Sequence, residues 1–452
     1  MRKLKIIDSL QNIDKEMTLL GRVETVRDHG KVLFIDLKDE TGVVQTVSRT
    51  KHDVSPEDIL KIEGLVKKRP DNLINKDLET GTIEIEVKEL EIISKAQTPP
   101  IPTEGEGYDI EENLRLKFRY LDLRRQRLQK NLRLRSQLSK LTRDYLTKEE
   151  FTEIETPYLS KTTPEGARDF LVPSRLHPSK FYALAQAPQQ YKQLLMLSGF
   201  ERYFQFARAF RDEDMRADRQ YEHTQIDIEA SFIKREDIFA LVEGMFENIA
   251  KNLNRKIKKN PFPVFTYHQA VKKFGQDKFD LRENKTSEEL AFAWVVDFPL
   301  FEYDEKEKRY TFSHNPFSSP KEESTKDLME GKNLDKILSY QYDLVLNGEE
   351  IASGSIRITD PKVQKQIFKI MGYEDKKIEE DFGHLLKAYE YGAPPHGGIA
   401  IGFDRVCAIF AGEKSIREVI AFPVSGAGTT AVMEAPSKAD PQTLKDLKLK
   451  VA

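Results

Sequence analysis

One stretch of the sequence alternates apolar and polar residues in the pattern of a β-strand. In residues 224–230, two isoleucines alternate with Gln225, Asp227 and Glu229. Side chains two positions apart on a strand point to the same face, so the three polar residues share one face. Residues 203–211 predict a partner strand, and the connection between the two is dense in arginine and carboxylate. The pair predicts either a pocket for a charged ligand or the solvated face of a hairpin.

Composition restricts the class of protein. The 452 residues are 39% hydrophobic and 33% charged with a net charge of −3, so contact with nucleic acid must be local. The length predicts two or three domains. Cys407 is the single cysteine, which excludes an internal disulfide and a cysteine-based zinc site and indicates a reducing compartment. We expect no membrane span and no signal peptide, so the predicted location is cytoplasmic.

Turn signals separate five short strands in the N-terminal part. They are predicted over 17–26, 31–37, 43–48, 59–67 and 82–93. Five strands in about eighty residues predict a small barrel of the oligonucleotide-binding (OB) type. After a helix predicted over 131–146, strands and helices mix without regular alternation. We therefore predict an α+β protein with a barrel over 1–98, a linker or hinge over 99–130, and a domain over 131–452 whose mostly antiparallel sheet is flanked by helices.

A second hairpin is predicted where Asn347-Gly348 forms a two-residue turn. This turn places Asp343 and Glu350 diagonally on one face. Two carboxylates in that arrangement suit a cation such as Mg²⁺, although a solvated hairpin would have the same pattern. Strict alternation sends Arg357 to the opposite face, so its presence in the same site would require a bulge, which we predict at Ser353-Gly354.

A glycine-rich segment near the C-terminus precedes a predicted buried helix. Gly397 and Gly398 permit close approach of the backbone, a short apolar strand follows, and Arg405 opens the helix. An arginine at that position predicts a phosphate clamp. Lys192 and Glu165 lie in other segments, and each taken singly has the pattern of a structural or solvated residue.

Several segments together resemble one protein family. They are residues 163–170 (TPEGARDF), 210–220 (FRDEDMRADRQ), 225–229 (QIDIE), 402–405 (GFDR) and 119–125 (RYLDLRR). All are similar to class II aminoacyl-tRNA synthetases of the bacterial aspartyl type, over nearly the whole chain and in the family's order of barrel, hinge and catalytic domain. The resemblance implies a homodimer that uses ATP to make aspartyl-adenylate and then transfers the aspartyl group to tRNA.

The resemblance also implies roles for individual residues. Arg211 and Arg405 are the implied catalytic arginines, at the α-phosphate and at the far end of the triphosphate. The implied Mg²⁺ ligands are Asp343 and Glu350. The implied ATP contacts are Arg211, Asp212, Glu213, Gln220, Glu350, Gly402, Phe403, Asp404 and Arg405. The implied aspartate contacts are Glu165, Gln189, Lys192, Arg211, Gln225, Asp227, His314 and Arg357.

Two cations explain the implied choice of aspartate. Lys192 and Arg357 would both face the side-chain carboxylate, and asparagine would leave them unneutralised. On the polar strand, we expect Asp227 at the amino-acid end of the substrate and Glu229 toward the ATP and metal end. The alternatives are an asparaginyl enzyme, an amino-acid-activating paralogue that has lost tRNA binding, and a pure RNA-binding module.

The resemblance places tRNA recognition in the barrel. Phe34, Gln45 and Glu84 match positions that read anticodon bases by stacking and hydrogen bonding, with a plain core role for Phe34 as the alternative. His29 and Asn72 match positions linked to tRNA discrimination. His29 favours an enzyme that charges tRNA-Asn as well as tRNA-Asp, which would require a downstream amidotransferase. Strict specificity for tRNA-Asp, with His29 as a surface turn residue, is the alternative.

The chain departs from the family pattern at several points. The large domain usually inserted between the second and third motifs is missing, because the segment 275–282 leads almost at once to the next predicted strand. Ala187, Asn315 and Val424 stand where the family has serine, histidine and lysine, and Ala352-Ser353 replaces two glycines. These changes bear on rate or affinity rather than on the class of reaction.

Overall fold

The computed structural model of the protein describes residues 4–162 and 166–450. The chain divides into two compact units, Met1–Pro102 and Thr103–Ala452. Each unit has an apolar core of its own. In the described ranges, no helix is both long enough and apolar enough to cross a bilayer.

The first unit is a barrel. Within residues 4–102, its strands are β1 (Glu16–Asp28), β2 (Leu33–Asp39), β3 (Gly42–Ser48), β4 (Ile59–Lys68) and β5 (Ile83–Ser94), and 3₁₀ helices span Ile6–Gln11 and Asp71–Leu73. The strands close in the order β1-β2-β3-β5-β4. Alternate side chains point inward, and fully buried aliphatic residues such as Leu19, Ile35 and Ile62 fill the interior. The predicted five-stranded OB-type barrel is confirmed.

A large sheet forms the centre of the second unit. Among the described residues its strands are β6 (Thr152–Glu153), β10 (Arg202–Phe210), β11 (Glu222–Ser231), β12 (Val264–Thr266), β13 (Phe292–Val296), β16 (Gln341–Leu346), β17 (Glu349–Ile356) and β18 (His396–Gly402). Their order is β12-β13-β16-β17-β18-β11-β10-β6. The two edge pairs are parallel and the other pairs are antiparallel. The predicted, mostly antiparallel sheet is confirmed.

Helices and two small sheets surround the large sheet. The helices are α1 (Glu112–Lys117), α2 (Arg119–Asp122), α3 (Gln126–Lys148), α4 (Gln189–Leu197), α5 (Arg235–Asn252), α6 (Tyr267–Phe274), α7 (Thr325–Glu330), α8 (Pro361–Ile370), α9 (Asp375–Tyr389), α10 (Phe403–Ala411) and α11 (Pro441–Asp446). The small sheets contain β7 (Leu159–Ser160), β8 (Leu171–Pro173) and β9 (Phe181–Leu184), and β14 (Phe301–Asp304) with β15 (Arg309–Phe312). Further 3₁₀ helices span Glu322–Ser324, Leu334–Lys336 and Ile416–Val419.

The two faces of the large sheet differ in chemistry. On one face, the isoleucines of β11 and Trp294 of β13 join the main core together with residues of α3, α5 and α10. On the other face lie Gln225, Asp227 and Glu229, whose exposed fractions are 5%, 1% and 0%. The predicted polar stripe is confirmed, and burial excludes the alternative of a solvated face. Buried polar groups require partners, so this face must hold a polar site.

The β16–β17 hairpin contains the predicted bulge at a different position. The register shifts once, which leaves Ile351 as the extra residue, whereas Ser353-Gly354 stays in regular pairing. Ile351 is buried in the apolar core, and that burial explains why the extra residue sits there. Gly354 instead permits close packing, since a β-carbon on it would lie 2.3 Å from the Gly398 carbonyl oxygen. The bulge returns Arg357 to the polar face.

Candidate active site

The polar stripe of β11 lies beside small residues of β18, one of its two neighbouring strands. Asp227 pairs across to Ala400 of β18, and Glu229 pairs to Gly398. A β-carbon on Gly398 would lie 2.1 Å from Oε2 of Glu229 and 2.0 Å from the Ile228 carbonyl oxygen. Glycine is therefore required there, because the carboxylate of Glu229 occupies the space that a side chain would fill.

Four charged side chains form a closed cluster at the Glu229 end of the stripe. Nζ of Lys192, on α4, lies 2.7 Å from Oδ1 of Asp227 and 3.2 Å from Oε2 of Glu229. Arg357 donates to both oxygens of Glu229 at 2.8 and 3.0 Å. All four side chains are at most 3% exposed. Charge-assisted bonds of this kind are strong in a dry environment.

The two carboxylates of this cluster respond differently to burial. Burial disfavours the charged form of Glu229, but Arg357 and Lys192 outweigh it and lower its pKa to about 2. Burial raises the pKa of Asp227, because Lys192 offsets only part of the cost of its charge. Glu229 is therefore the fixed anion of the cluster.

Two expectations about this strand are modified. Glu229 lies with Lys192 and Arg357, whereas the Gln225 end of β11 is the one that pairs with Gly402. The two cations also do not face a substrate alone, since both are already paired with carboxylates of the protein.

A cleft of about 280 Å³ opens at the Gln225 end of the stripe. Residues from the β10–β11 connection line one side, and residues of β17, β18 and α10 line the other. The cleft brings together seven of the predicted ATP contacts, which are Arg211, Glu213, Gln220, Glu350, Gly402, Asp404 and Arg405. The sequence segments that carry these residues are far apart, so their convergence supports the prediction of one shared site.

Arg211 differs from the other cations of the cleft. Its Nε is buried and, within the part of the chain that the structure describes, has no hydrogen-bond partner. A buried donor without a partner is unusual and costs free energy. A ligand in the cleft that carries an anionic oxygen would satisfy it.

Two further ion pairs of the cleft are partly exposed. Arg405 donates to the Glu350 carbonyl oxygen at 2.7 Å and to Oδ2 of Asp218 at 3.1 Å. The Glu350 carboxylate lies 2.9 Å from Nζ of Lys278. These side chains are 24–44% exposed, in contrast to the closed cluster.

The predicted metal position lies beside this cleft. Asp343 is buried, accepts a hydrogen bond from Nε2 of Gln341 at 3.0 Å, and lies 3.4 Å from Nε2 of His314. Burial opposes a charge on His314, but Asp343 outweighs it and raises the pKa of the ring. Among the described residues there is no group of three or more side chains that could hold a metal ion, and the predicted ligands here are the two carboxylates of Asp343 and Glu350. That donor set fits Mg²⁺, which usually takes one or two carboxylates together with substrate phosphates.

Several predicted contacts have other partners in the structure. Asp212 pairs with Arg168, and Phe403 packs in the core against Phe206. The lone pairs of Asp404 accept from the Thr224 amide at 2.8 Å and from Arg135 at 2.5 Å. The side-chain oxygen of Gln220 accepts from the Val424 amide at 2.7 Å. The side chains of Asp212, Phe403 and Asp404 and the side-chain oxygen of Gln220 are thus already in contact with other groups of the protein.

Two predicted aspartate contacts remain. Gln189 begins α4 and is buried, and in the described ranges its Nε2 has no hydrogen-bond partner. Glu165 lies outside the residues that the structure describes.

Sequence reasoning assigned no role to four ionisable residues of the cleft, Asp218, Arg219, His223 and Lys278. Burial, together with Arg211, Arg405 and Arg208, lowers the pKa of His223 to about 3, so its ring is neutral. A sequence pattern did mark His223, because it lies two positions before Gln225 and so continues the alternation of Gln225, Asp227 and Glu229 toward the N-terminus. Lys278 lies in a loop without periodicity, and no sequence pattern marks it.

The outer surface of the barrel carries the predicted anticodon residues. Phe34 is half-buried and lies outside the apolar core, so the alternative of a plain core role does not hold. Nε2 of Gln45 donates to Oε2 of Glu84 at 3.3 Å. His29 is exposed and packs edge-on to Phe34, with ring centroids 5.5 Å apart. Asn72 is exposed in the second 3₁₀ helix of the barrel unit.

Comparison with known proteins agrees with this geometry. Residues 17–93 match the OB-fold nucleic acid binding domain. The aspartate–tRNA(Asp/Asn) ligase of Halothermothrix orenii is 38% identical, with 98% of this chain and 97% of the relative covered. The aspartate–tRNA ligase of Staphylococcus saprophyticus is 36% identical, with 97% of each chain covered. The first alignment runs over 576 positions, more than this chain contains, in agreement with the absence of a large inserted domain.

Solved structures share the fold at lower identity. Aspartyl-tRNA synthetase from Entamoeba histolytica has a TM-score of 0.72 and 21% identity, over 93% of this chain and 91% of that one. Asparaginyl-tRNA synthetase from Pyrococcus horikoshii, complexed with asparaginyl-adenylate, has a TM-score of 0.73 and 22% identity, over 94% and 98%. Residues 111–426 match the family of class II tRNA synthetases for D, K and N. The chain therefore belongs to the class II tRNA synthetases of the aspartate, lysine and asparagine group.

Proposed function

We propose that this protein attaches L-aspartate to tRNA in two steps. First, an oxygen of the aspartate α-carboxylate attacks the α-phosphorus of ATP, and the bond to the bridging oxygen breaks to release pyrophosphate. A terminal ribose hydroxyl of tRNA then attacks the aspartyl carbonyl, and AMP leaves. Such transfers depend on positioning and on neutralisation of charge more than on a nucleophile of the protein.

The observation that carries the choice of aspartate is the pairing of Lys192 and Arg357 around Glu229. Lys192 has three N–H donors; one donates to Oδ1 of Asp227 at 2.7 Å, and Nζ also lies 3.2 Å from Oε2 of Glu229. We assign a further donor of Lys192, and an N–H of Arg357 beyond those that bind Glu229 and Ser355, to the side-chain carboxylate of aspartate. An asparagine amide would direct its own donors at these cations, and a mismatch of buried polar groups discriminates strongly. Gln189, Gln225 and His314 complete the proposed aspartate pocket together with Glu165.

The cleft is the proposed ATP site. Arg211, whose Nε lacks a partner within the described residues, is assigned to the α-phosphate and the attacking carboxylate. Arg405, on the first turn of α10, is assigned to the far end of the triphosphate. Glu213 and Gln220 line the same cleft and complete the contacts. Asp343 and Glu350 would hold Mg²⁺, which when bound neutralises phosphate charge.

The barrel is the proposed tRNA-reading surface. Phe34 offers a ring for stacking on a base, and Gln45 with Glu84 offers hydrogen-bonding edges. His29 lies against Phe34, which supports a role in the acceptance of tRNA-Asn as well as tRNA-Asp. We further propose a cytoplasmic homodimer, with a downstream amidotransferase where tRNA-Asn is charged.

Aspartate-dependent exchange between ATP and labelled pyrophosphate tests the activation step. We expect exchange with aspartate, little with asparagine, and no requirement for tRNA. Exchange with asparagine alone would indicate the asparaginyl alternative. Absence of exchange with either amino acid would overturn the proposal.

Charging of purified transcripts tests the tRNA step. We expect aspartylation of tRNA-Asp and, at a lower rate, of tRNA-Asn. Phe34→Ala should reduce charging by about ten- to a hundredfold, since a stacked base contributes about 1–3 kcal/mol, while pyrophosphate exchange stays unchanged. Charging of tRNA-Asp alone would establish the strict alternative.

A further inference from the structure

Lys278 is a charged residue of the cleft to which neither the reaction nor the family match assigns a role. Its Nζ lies 2.9 Å from Oε2 of Glu350, one of the two proposed metal ligands. It also lines the same cleft as Arg211 and Arg405. The ammonium group thus touches the oxygen that a divalent cation would take.

The backbone around Lys278 is fixed. Helix α6 ends at Gly275, which takes the left-handed conformation with φ of 79°. Asp280 is held by two donors of Arg282, at 2.9 and 3.1 Å. The Asp280 β-carbon lies 3.5 Å from the position of a β-carbon on Gly348, so the loop packs on the turn of the β16–β17 hairpin. The loop therefore presents Lys278 to Glu350, while the side chain itself can move.

The exposure of the Lys278–Glu350 pair allows a divalent cation to displace Lys278 from the carboxylate. The Lys278 side chain is 44% exposed and the Glu350 side chain is 24% exposed, so the pair is only weakly held. An ammonium and a divalent cation repel one another, so each weakens the binding of the other at the same carboxylate. The flexible stem of lysine keeps its charge within reach of a triphosphate in the cleft after displacement.

We propose that Lys278 is a positioning residue: a tethered cation that holds the Glu350 metal position in the ATP-free enzyme and yields it to the divalent ion that arrives with ATP. This inference rests on the proposed function. Its consequence is coupling: the metal binds weakly without nucleotide, because it must displace Lys278. With nucleotide present, the displaced ammonium gains the triphosphate as a new partner, which favours joint binding.

Direct binding of Mn²⁺, measured by electron paramagnetic resonance, tests this role without the reaction. In Lys278→Met without nucleotide, we expect Mn²⁺ to bind about fivefold more tightly. Lys278 competes with the metal through a partly exposed ion pair, and loss of such a pair should change the affinity by about this factor. With the non-reactive analogue α,β-methylene ATP, the gain should disappear or reverse. Lys278→Gln makes the same test if the methionine variant unfolds.

Two controls isolate the effect. Lys285→Met removes the same charge from the same segment, where Lys285 lies near Asp280, and should leave Mn²⁺ affinity unchanged. In the double variant with Glu350→Gln, the gain should be lost. An unchanged or weaker Mn²⁺ affinity in Lys278→Met would overturn the inference, whereas absent pyrophosphate exchange in the unmodified protein would overturn the proposed function.

Discussion

The two ends of the polar stripe on β11 hold charged side chains in opposite environments, one buried and one partly exposed. At the Glu229 end, Lys192 and Arg357 are paired in a cluster whose side chains are at most 3% exposed. At the Gln225 end, the pairs Arg405–Asp218 and Lys278–Glu350 are 24–44% exposed. A buried pair is costly to break and an exposed pair is not.

This difference matches the tasks that we propose for the two ends. The closed end must tell aspartate from asparagine, and a fixed set of donors does this best. The open end must take up and release a triphosphate with its metal, which weak, exchangeable pairs permit. Trp294, the single tryptophan, lies in the core of the second unit, so its fluorescence reports the stability of that unit alone. The comparison can therefore be tested by residue changes at both ends.

Removal of the fixed anion should have the largest effect. Glu229→Gln leaves Arg357 and Lys192 without their shared carboxylate, and we expect a loss of about 3–5 kcal/mol in the free energy of unfolding, together with loss of pyrophosphate exchange. Urea titration followed by Trp294 fluorescence measures the stability. The control is Glu222→Gln on the same strand, whose pair with Arg208 is 40–44% exposed and should change stability by less than about 1 kcal/mol. Equal effects at the two positions would contradict the comparison.

A methyl group on Gly398 should disturb the closed end from the neighbouring strand. Its β-carbon would lie 2.1 Å from Oε2 of Glu229, so we expect Gly398→Ala to destabilise the unit by about 1–3 kcal/mol and to raise the KM for aspartate more than that for ATP. Gly426→Ala is the control, because the nearest atom there is 3.8 Å away. A stable variant with an unaltered KM for aspartate would show that the closed end tolerates movement.

His223 should give the cleft a dependence on pH. Its pKa of about 3 lies below the ordinary value of 6.5, so between these pH values His223 binds a proton in the unfolded chain but not in the folded protein. Stability is then lost as the pH falls from 6.5 toward 3. Between pH 7 and pH 5 we expect the free energy of unfolding to fall by about 1–2 kcal/mol more in the unmodified protein than in His223→Gln. Parallel pH curves for the two proteins would contradict this assignment.

The smallest effect is expected at an exposed pair. Asp218→Asn frees Arg405 from a carboxylate 3.1 Å away, and stability should change by less than about 1 kcal/mol. The KM for ATP should fall modestly, since Arg405 no longer has a competing anion. Asp214→Asn, an exposed change of charge in the same connection, should leave the KM for ATP unchanged. A large loss of stability in Asp218→Asn would show that the ion pairs at the open end are not weak.

Much of the fold followed from local patterns in the sequence. The barrel strands and the polar stripe were predictable because alternation and turn residues report directly on which side chains are buried. Helix α3 was predicted over 131–146 but begins at Gln126. Its first turns are held by polar contacts, such as Arg127 and Asn131 with Glu413, rather than by an apolar stripe.

The site was predictable only in part, for the same reason. The β11 residues carry a periodic signal and Arg405 belongs to a motif, but the partners of a charge depend on tertiary contacts between distant segments. Neither the turn of Glu229 toward Arg357 nor the contact of Lys278 with Glu350 could be inferred from spacing. The position of the bulge likewise depends on a tertiary contact, the packing of Ile351 in the core.

The bulge at Ile351 decides which side chains of β17 reach the pocket. If the same residues were paired in strict alternation without the bulge, every side chain after Ile351 would lie on the opposite face, so that Arg357 would enter the apolar interior and Ile356 would face the pocket. No chemical group of the site would have been altered. At this strand, the pairing register determines the chemistry of the pocket as much as the identity of any single side chain does.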